Sequence, residues 1–215
     1  MKNEKELMRL CFPGDEARLP WLSLLLHAYA VIDNGVAEAV KVEEKKKKAR
    51  LACAKGCSAC CSTHKDIPVY PLELVGLYWF VVEKTLPPVR EALKGQLLKH
   101  EKGAPCPFLI NNACSVHLLR PVACRQFNVF SKPCAENEDP FYTRRKDVLI
   151  PIENYTNQAF SIMLPFYGIT DEIAKARAIK NRLIHTQARI LQECNWKELA
   201  IRMDNFDFTR NQHLR

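Results

Sequence analysis

The sequence predicts a mainly α-helical protein that carries a small cysteine-rich subdomain of hairpin and loop structure. Glycine is scarce, with 7 residues among 215, and the alternation typical of strands is rare. Eight of the ten cysteines lie between Cys53 and Cys134. At this length we expect a single domain over residues 1–215, with the cysteine-rich region at 53–134 inside it.

The first long element is a predicted helix from about Leu19 to Ala52, with an expected break at Asp33-Asn34-Gly35. Near its end the run Glu43-Glu44-Lys45-Lys46-Lys47-Lys48 places Glu43 and Lys47 four residues apart, where they can pair on one helical face. The run therefore predicts a solvent-exposed helical face and not a nucleic-acid contact.

Prolines and asparagines mark the boundaries of the following elements. Pro71 is suited to the first position of a helix that Pro87-Pro88 ends, and residues 89–102 form the next helix. Asn111-Asn112 lies between two short apolar segments. Because asparagine tolerates the positive φ of a tight turn, a small hairpin is predicted over residues 108–116.

The late part of the chain shows the most regular helical pattern. With Thr170 as N-cap, apolar residues follow at intervals of three and four from Ile173 to Cys194. This stripe predicts that Cys194 is a buried core thiol and not a ligand. Cys11 lies far from the cysteine-rich region in sequence and is interpreted in the same way.

The density of thiols indicates either disulfides or soft metal ions. Disulfide scaffolds are typical of small secreted domains, whereas this chain has 47% hydrophobic residues and can bury an ordinary core. The apolar run at residues 21–27 is too short for a membrane span and does not predict a convincing signal peptide. We therefore expect reduced thiols that hold a metal in the cytoplasm, with no membrane association.

The cysteine spacing constrains how a metal could be held. Cys53, Cys57 and Cys60 stand at i, i+4 and i+7, so a helical turn or tight loop can direct all three inward. Cys60 and Cys61 are adjacent and diverge by about 100° in a regular helix, which disfavours one mononuclear ion for both. One segment is thus predicted to supply three thiolates, and the fourth ligand comes from Cys106, Cys114 or Cys124.

Thiolate-rich sites suit zinc and iron–sulfur clusters almost equally. Structural zinc sites usually show paired C-x2-C spacings, whereas iron–sulfur sites accept uneven spacings and a distant fourth ligand. The C-x3-C-x2-C opening here favours an iron–sulfur cluster or iron, with zinc as the alternative. Arg120 and Arg125 flank Cys124 and are predicted to donate to thiolates around the metal, with an ordinary ion pair or turn anchor as the alternative.

The formal net charge of +8 does not by itself indicate a nucleic-acid partner. The basic residues are spread along several segments, and aromatic residues are not interleaved with them as a single-strand binder requires. Nucleic-acid binding is therefore not expected. The sequence gives no indication of which protein partner or substrate is involved.

Three motifs together resemble a known family. They are Cys53-Ala-Lys-Gly-Cys57-Ser-Ala-Cys60-Cys61, then Cys106-Pro-Phe-Leu, then Cys114-Ser-Val-His117-Leu-Leu-Arg120-Pro-Val-Ala-Cys124-Arg125. This combination is similar to the CxxCxxCC, or YkgJ-type, family of zinc- or iron-chelating proteins. The first gap holds three residues where the family has two, and His117 replaces a usual tyrosine.

The resemblance implies a metal or iron–sulfur site but no defined substrate. Longer relatives with similar cysteine clusters include flagellin lysine methylases and iron–sulfur oxidoreductases, so a redox or protein-modification role is one expectation, and neither activity is assigned to this chain. The alternative is a structural zinc protein that acts as an interaction module. Under both, the predicted ligands are Cys53, Cys57, Cys60, Cys61, Cys106, Cys114 and Cys124, with Cys134 and His117 as accessory candidates and Arg120 and Arg125 around them.

Overall fold

The computed structural model describes residues 9–213, with the side chains of residues 9–209. Residues 1–8 and 214–215, the two ends of the predicted domain, lie outside the described residues. Within this part the mainly α prediction is confirmed, since eleven α-helices accompany two antiparallel two-stranded sheets. A membrane span would need a longer and more apolar helix than any between residues 9 and 213.

The helices and strands are bounded as follows: α1 Pro13–Arg18, α2 Pro20–Lys47, α3 Ala59–Thr63, β1 Pro68–Val69, α4 Pro71–Glu83, α5 Val89–Lys99, β2 Leu109–Ile110, β3 Ala113–Cys114, α6 Val122–Gln126, α7 Pro140–Thr143, α8 Glu153–Met163, α9 Glu172–Lys180, α10 Leu183–Thr186, β4 Arg189–Ile190 and α11 Trp196–His213.

The described residues divide into two compact units. The first unit comprises the chain up to Cys53 together with Pro121–Pro133 and Pro140–Ala188. The second unit comprises Ala54–Arg120, Cys134–Asp139 and the chain from Arg189. The first unit therefore holds α1, α2 and α6–α10, and the second holds α3–α5, α11 and both sheets.

In the first unit, α2 is the central element and packs against α6 and α8. Pro20 lies at its first turn, where a missing amide hydrogen costs nothing. Leu22, Leu25 and Ile32 recur on one face and are fully buried. Each contributes about 1.5–3 kcal/mol through the removal of apolar surface from water. The helix ends before Lys48, whose φ of 51° is left-handed.

The predicted break at Asp33-Asn34-Gly35 is wrong, because α2 continues through it. The glycine has a packing reason instead. A Cβ built on Gly35 would lie 2.5 Å from the Tyr155 Cβ of α8. Gly35 thus permits a close approach of two helices, which a single sequence cannot distinguish from a helix break.

The sequence predicts that the lysine-rich end of α2 is exposed to solvent, but the structure buries part of it. The predicted pair does form, with Glu43 Oε2 and Lys47 Nζ 2.8 Å apart, but Glu43 is only 6% exposed. The Lys47 ammonium also lies 4.7 Å from the centroid of the Phe130 ring. These two residues therefore close the edge of a small cluster that buries Phe130 and Leu149.

In the second unit, α4 and α5 follow the predicted proline boundaries, although α5 ends at Lys99 and not at residue 102. Both helices pack against α11. Their buried faces include Leu72 and Leu77 from α4 and Leu93 and Leu97 from α5. Strand β1 pairs with β4 and ties the start of α4 to the chain that precedes α11.

The prediction of one long late helix is wrong. The N-cap is Asp171 and not Thr170, since the Asp171 carboxylate accepts the Ala174 amide at 2.8 Å. Helix α9 ends at Lys180, and Arg182 adopts a left-handed conformation with φ 53°. The chain then forms the short α10 and strand β4.

The two isolated cysteines also differ from expectation. Ile173, predicted to start a buried stripe, is 73% exposed. Cys194 lies outside any long helix and is half-buried, with its thiol 3.4 Å from the Ile190 carbonyl. Cys11 is exposed and its sulfur accepts a hydrogen bond from Arg9 at 3.3 Å. Neither is a fully buried core thiol.

Candidate metal centre

The predicted hairpin is confirmed and positions Cys114 in the second unit. Strands β2 and β3 pair with Leu109 opposite Cys114. The turn residues Asn111 and Asn112 have φ values of 48° and 58°, the left-handed pair that a two-residue hairpin turn requires. The position of Cys114 opposite Leu109 is therefore set by the local backbone geometry of the hairpin.

The Cys-Pro-Phe-Leu motif is anchored by its aromatic residue. Phe108 is buried and its ring meets the Trp196 ring edge-on, with centroids 4.8 Å apart. The Gln96 side-chain amide donates to the Pro107 carbonyl at 2.7 Å. An edge-to-face aromatic pair contributes about 0.5–1.5 kcal/mol beyond its area burial. These contacts hold the backbone next to Cys106.

The first cysteine motif turns before it becomes helical. Gly56 has a φ of 87°, and the Cys57 amide donates to the Ala54 carbonyl at 3.0 Å in the resulting turn. Cys57 is exposed. Helix α3 begins two residues later and carries the half-buried Cys60 and Cys61. Thus one short helix presents two adjacent cysteines, preceded by a third on a tight turn.

Four thiols of the second unit are linked by hydrogen bonds or by electrostatic interactions, and we refer to Cys60, Cys61, Cys106 and Cys114 as the four-thiol cluster. The Cys60 thiol donates to the Cys61 sulfur, and this bond together with burial raises the Cys60 pKa far above its ordinary value. The Cys61 thiol donates in turn to the Cys106 sulfur, which raises the pKa of Cys61 to about 12. Burial raises the pKa of Cys114, while the nearby Arg120 charge acts in the opposite direction.

The backbone joins the two motifs as well. The Cys106 amide donates a 2.8 Å hydrogen bond to the Cys61 carbonyl. Among residues 9–213, no three histidine, cysteine or carboxylate side chains already converge where an ion could sit. The donor chemistry nevertheless suits a soft cation, because thiolates are soft ligands. A bound cation would offset the repulsion between the thiolates that form when these thiols lose their protons.

Backbone amides also donate to cysteine sulfur. The Val116 amide donates to the Cys114 sulfur and counters part of the rise in its pKa. In the first unit, the Val129 amide donates to the Cys53 sulfur at 3.3 Å. Such bonds stabilise the thiolate form that a metal ligand requires. Cys124 lies on α6 of the first unit and is half-buried.

The predicted polar neighbours have defined contacts. The Arg120 guanidinium lies 2.8 Å from a ring nitrogen of His117, so the half-buried arginine contacts the exposed histidine. Arg125 is buried in the first unit, pairs with Asp33 at 2.6 Å and stacks 4.0 Å from the Tyr29 ring centroid. For Arg125 these contacts are those of the ion-pair and anchor interpretation.

Sequence reasoning missed a buried histidine beside the cysteines. His64 directly follows α3, its amide donates to the Cys60 carbonyl at 3.0 Å, and its ring lies 3.2 Å from the Asp139 carboxylate. The Gln192 side chain donates to the His64 carbonyl at 2.7 Å. The contact between the His64 ring and the Asp139 carboxylate ties the segment that contains Cys134 to the end of α3. The available signal was the position of His64 one helical turn after Cys60.

Comparison with known protein families gives a match over the cysteine-rich region. Residues 52–147 match the model of a family named CxxCxxCC and described as "Putative zinc- or iron-chelating domain". The matched residues include the four-thiol cluster and also Cys53, Cys57, Cys124 and Cys134. No curated protein and no solved structure matches the chain.

Proposed function

We propose that the protein holds iron, most simply as an iron–sulfur cluster, through the four-thiol cluster, since residues 52–147 match the model of the CxxCxxCC family of zinc- or iron-chelating domains. The observation that carries this proposal is the hydrogen-bonded series from Cys60 through Cys61 to Cys106. The series links two adjacent residues, one sulfur to the next, with a third from a distant segment of the chain.

The adjacency of Cys60 and Cys61 favours iron–sulfur over a single zinc ion. Zinc sites usually take their thiolates from residues separated by two to four positions, with tetrahedral geometry around one ion. Neighbouring sulfurs suit a centre that offers more than one metal atom, and uneven spacings are common among iron–sulfur ligands. Cys53, Cys57 and Cys124 stay predicted ligands on the basis of their motifs.

The chain's own residues have definable tasks in this proposal. The thiols bind, the Val116 amide donates to the Cys114 sulfur, and the Arg120 charge offsets thiolate charge. The Phe108 anchor and the hairpin hold Cys106 and Cys114 in position. When bound, an iron–sulfur cluster supplies one-electron transfer. We propose a redox role, or support of protein modification, in the reducing cytoplasm, where thiolate ligands persist.

The test is purification without oxygen from iron-replete cells, followed by metal analysis, acid-labile sulfide analysis and a visible absorption spectrum. Iron and sulfide with a broad visible band support the proposal. Zinc in a colourless protein contradicts it and favours the structural zinc alternative, in which function lies on the surface. Nucleic-acid binding is a separate expectation, checked by gel shift, and we expect none.

Matched cysteine variants test the ligand set within the same experiment. Cys61→Ser and Cys114→Ser should each lose most of the metal, because a serine hydroxyl is a poor ligand for a soft cation. Cys194→Ser is the control, since that thiol is half-buried and lies outside the matched residues. Equal metal content in all three would contradict the four-thiol assignment.

A further inference from the structure

A cavity of about 460 Å³ lies in the first unit, between α8 and the turn that joins α9 to α10. Its apolar floor includes Phe160, Ala178 and Ile184, which are all buried. This volume is within the range of small-molecule sites, which pair an apolar floor with a few polar groups. The family match and the thiol chemistry assign nothing to it.

The rim of the cavity carries net positive charge. Lys180 and Arg182 line it as exposed cations, and Glu153 contributes a carboxylate. The left-handed backbone at Arg182, with φ 53°, makes the turn that brings this side chain to the rim. Such a conformation costs a bulky residue free energy and is found more often at functional sites than elsewhere. The balance of charge on the rim favours an anion.

The remaining polar lining offers hydrogen bonds without further charge. The Gln126 amide donates to the Thr156 hydroxyl at 2.7 Å, and that hydroxyl retains its own proton to donate. Asn157 adds an amide on the same wall. Burial and the Arg182 charge lower the pKa of His185, so its ring is neutral at neutral pH and can donate or accept.

We propose that this cavity binds a small organic anion, a compound whose apolar body covers the floor while one phosphate or carboxylate group is held by Lys180 and Arg182. A guanidinium offers paired donors that match the oxygens of either group, and an ammonium adds a point charge beside it. Thr156 and Asn157 then bond to a hydroxyl or carbonyl on the ligand body. None of the residues that line the cavity is a predicted metal ligand.

Phenyl phosphate is the probe, and phenol is its neutral counterpart. Titration of the full chain as purified, with its bound metal, should show saturable binding by calorimetry. Phenol should bind at least about tenfold more weakly, since it lacks the charge-assisted hydrogen bonds. Arg182→Asn should also weaken phenyl phosphate binding by about tenfold or more. Asparagine tolerates left-handed φ, so this variant should keep the fold.

Two further variants make the result decisive. Lys180→Gln removes the other cation from an exposed position and should weaken binding even if Arg182→Asn disturbs the turn. Arg177→Gln removes an exposed charge from the same helix but from outside the cavity lining, and should leave binding unchanged. No saturable binding by the unaltered protein, equal affinity for phenol, or equal weakening by Arg177→Gln would each overturn the proposal.

Discussion

The Cys106 amide donates a 2.8 Å hydrogen bond to the Cys61 carbonyl, while the Cys61 thiol donates to the Cys106 sulfur. These residues belong to separate cysteine motifs, and the two motifs are therefore joined by one backbone hydrogen bond and one contact between thiols. The backbone bond does not involve sulfur, so it can hold the two segments together with or without a metal. The thiol contact requires a proton, which a metal must displace.

This competition predicts a pH-dependent metal affinity. Since the pKa of Cys60, Cys61 and Cys114 is raised, these thiols carry protons at neutral pH when no metal is bound. Each proton released on binding should raise the affinity by about tenfold per pH unit. Competition with a chelator at about pH 6.5 and about pH 7.5 measures this. An affinity that does not change with pH would contradict protonated thiols.

The stability of the metal-free protein should fall as pH rises, whereas the metal affinity should increase. A thiol whose pKa is raised in the folded state contributes stability below its unfolded pKa of about 8.5, and that contribution is lost as pH rises further. The Tm of chelator-treated protein should therefore fall above about pH 9, while the metal-loaded protein, whose thiolates are compensated, should fall less. Equal curves with and without metal would show that these thiols are not the ligands.

The hairpin turn should control retention of the metal through Cys114. Asn112→Val places a β-branched residue at φ 58°, which should destabilise the turn by about 1–2 kcal/mol. Metal content should fall because Cys114 is held by pairing with Leu109. Asn112→Gly is the matched variant and should keep both Tm and metal content. Full metal content in the Asn112→Val protein would show that metal binding does not depend on the hairpin turn.

The sequence predicted elements whose causes are local. Pro71 and Pro87-Pro88 bound helices because a missing amide and a fixed φ act on their own neighbours. The paired asparagines specify a turn for the same reason. The prediction of one long late helix was wrong because Arg182 adopts a left-handed conformation, although the spacing of apolar residues continues through it. The periodicity of apolar residues does not report one residue in a left-handed conformation.

Contacts between distant segments were not predictable from one sequence. The pairing of His64 with Asp139 and the approach of Tyr155 to Gly35 each join segments that the chain order separates. The candidate ligands were recognised because thiols are chemically distinctive and closely spaced. Their grouping into Cys60, Cys61, Cys106 and Cys114 needed the hairpin and the Phe108 anchor, which depend on tertiary packing.

The Gly35 contact gives a direct test of the first unit. Gly35→Ala would place a methyl group 2.5 Å from the Tyr155 Cβ, and it should destabilise the protein by about 1–3 kcal/mol through overpacking. Gly95→Ala is the matched control, because Gly95 lies within α5 with nothing within 4 Å of an added Cβ. That change should stabilise by about 0.5–1 kcal/mol. Thermal unfolding of both variants measures these changes. An unchanged Tm for Gly35→Ala would contradict the close packing of α2 against Tyr155.

Arg90 should be a major determinant of stability in the second unit. Its guanidinium donates to the Val81 and Val82 carbonyls at 2.9 and 2.8 Å, near the end of α4, and pairs with both oxygens of Asp207 on α11. Arg90 is only 6% exposed. Arg90→Met should cost about 3–5 kcal/mol, because it leaves helix carbonyls and a carboxylate without their donor.

Lys94 provides the contrasting case on the same two helices. Its ammonium lies 2.8 Å from Asp204, whose side chain is 56% exposed, so water competes for both charges. Lys94→Met should cost at most about 1 kcal/mol, as exposed ion pairs usually do. Urea unfolding followed by circular dichroism compares the two variants. A similar loss of stability in both variants would contradict the prediction that the buried Arg90 guanidinium stabilises the protein more than an exposed ion pair does.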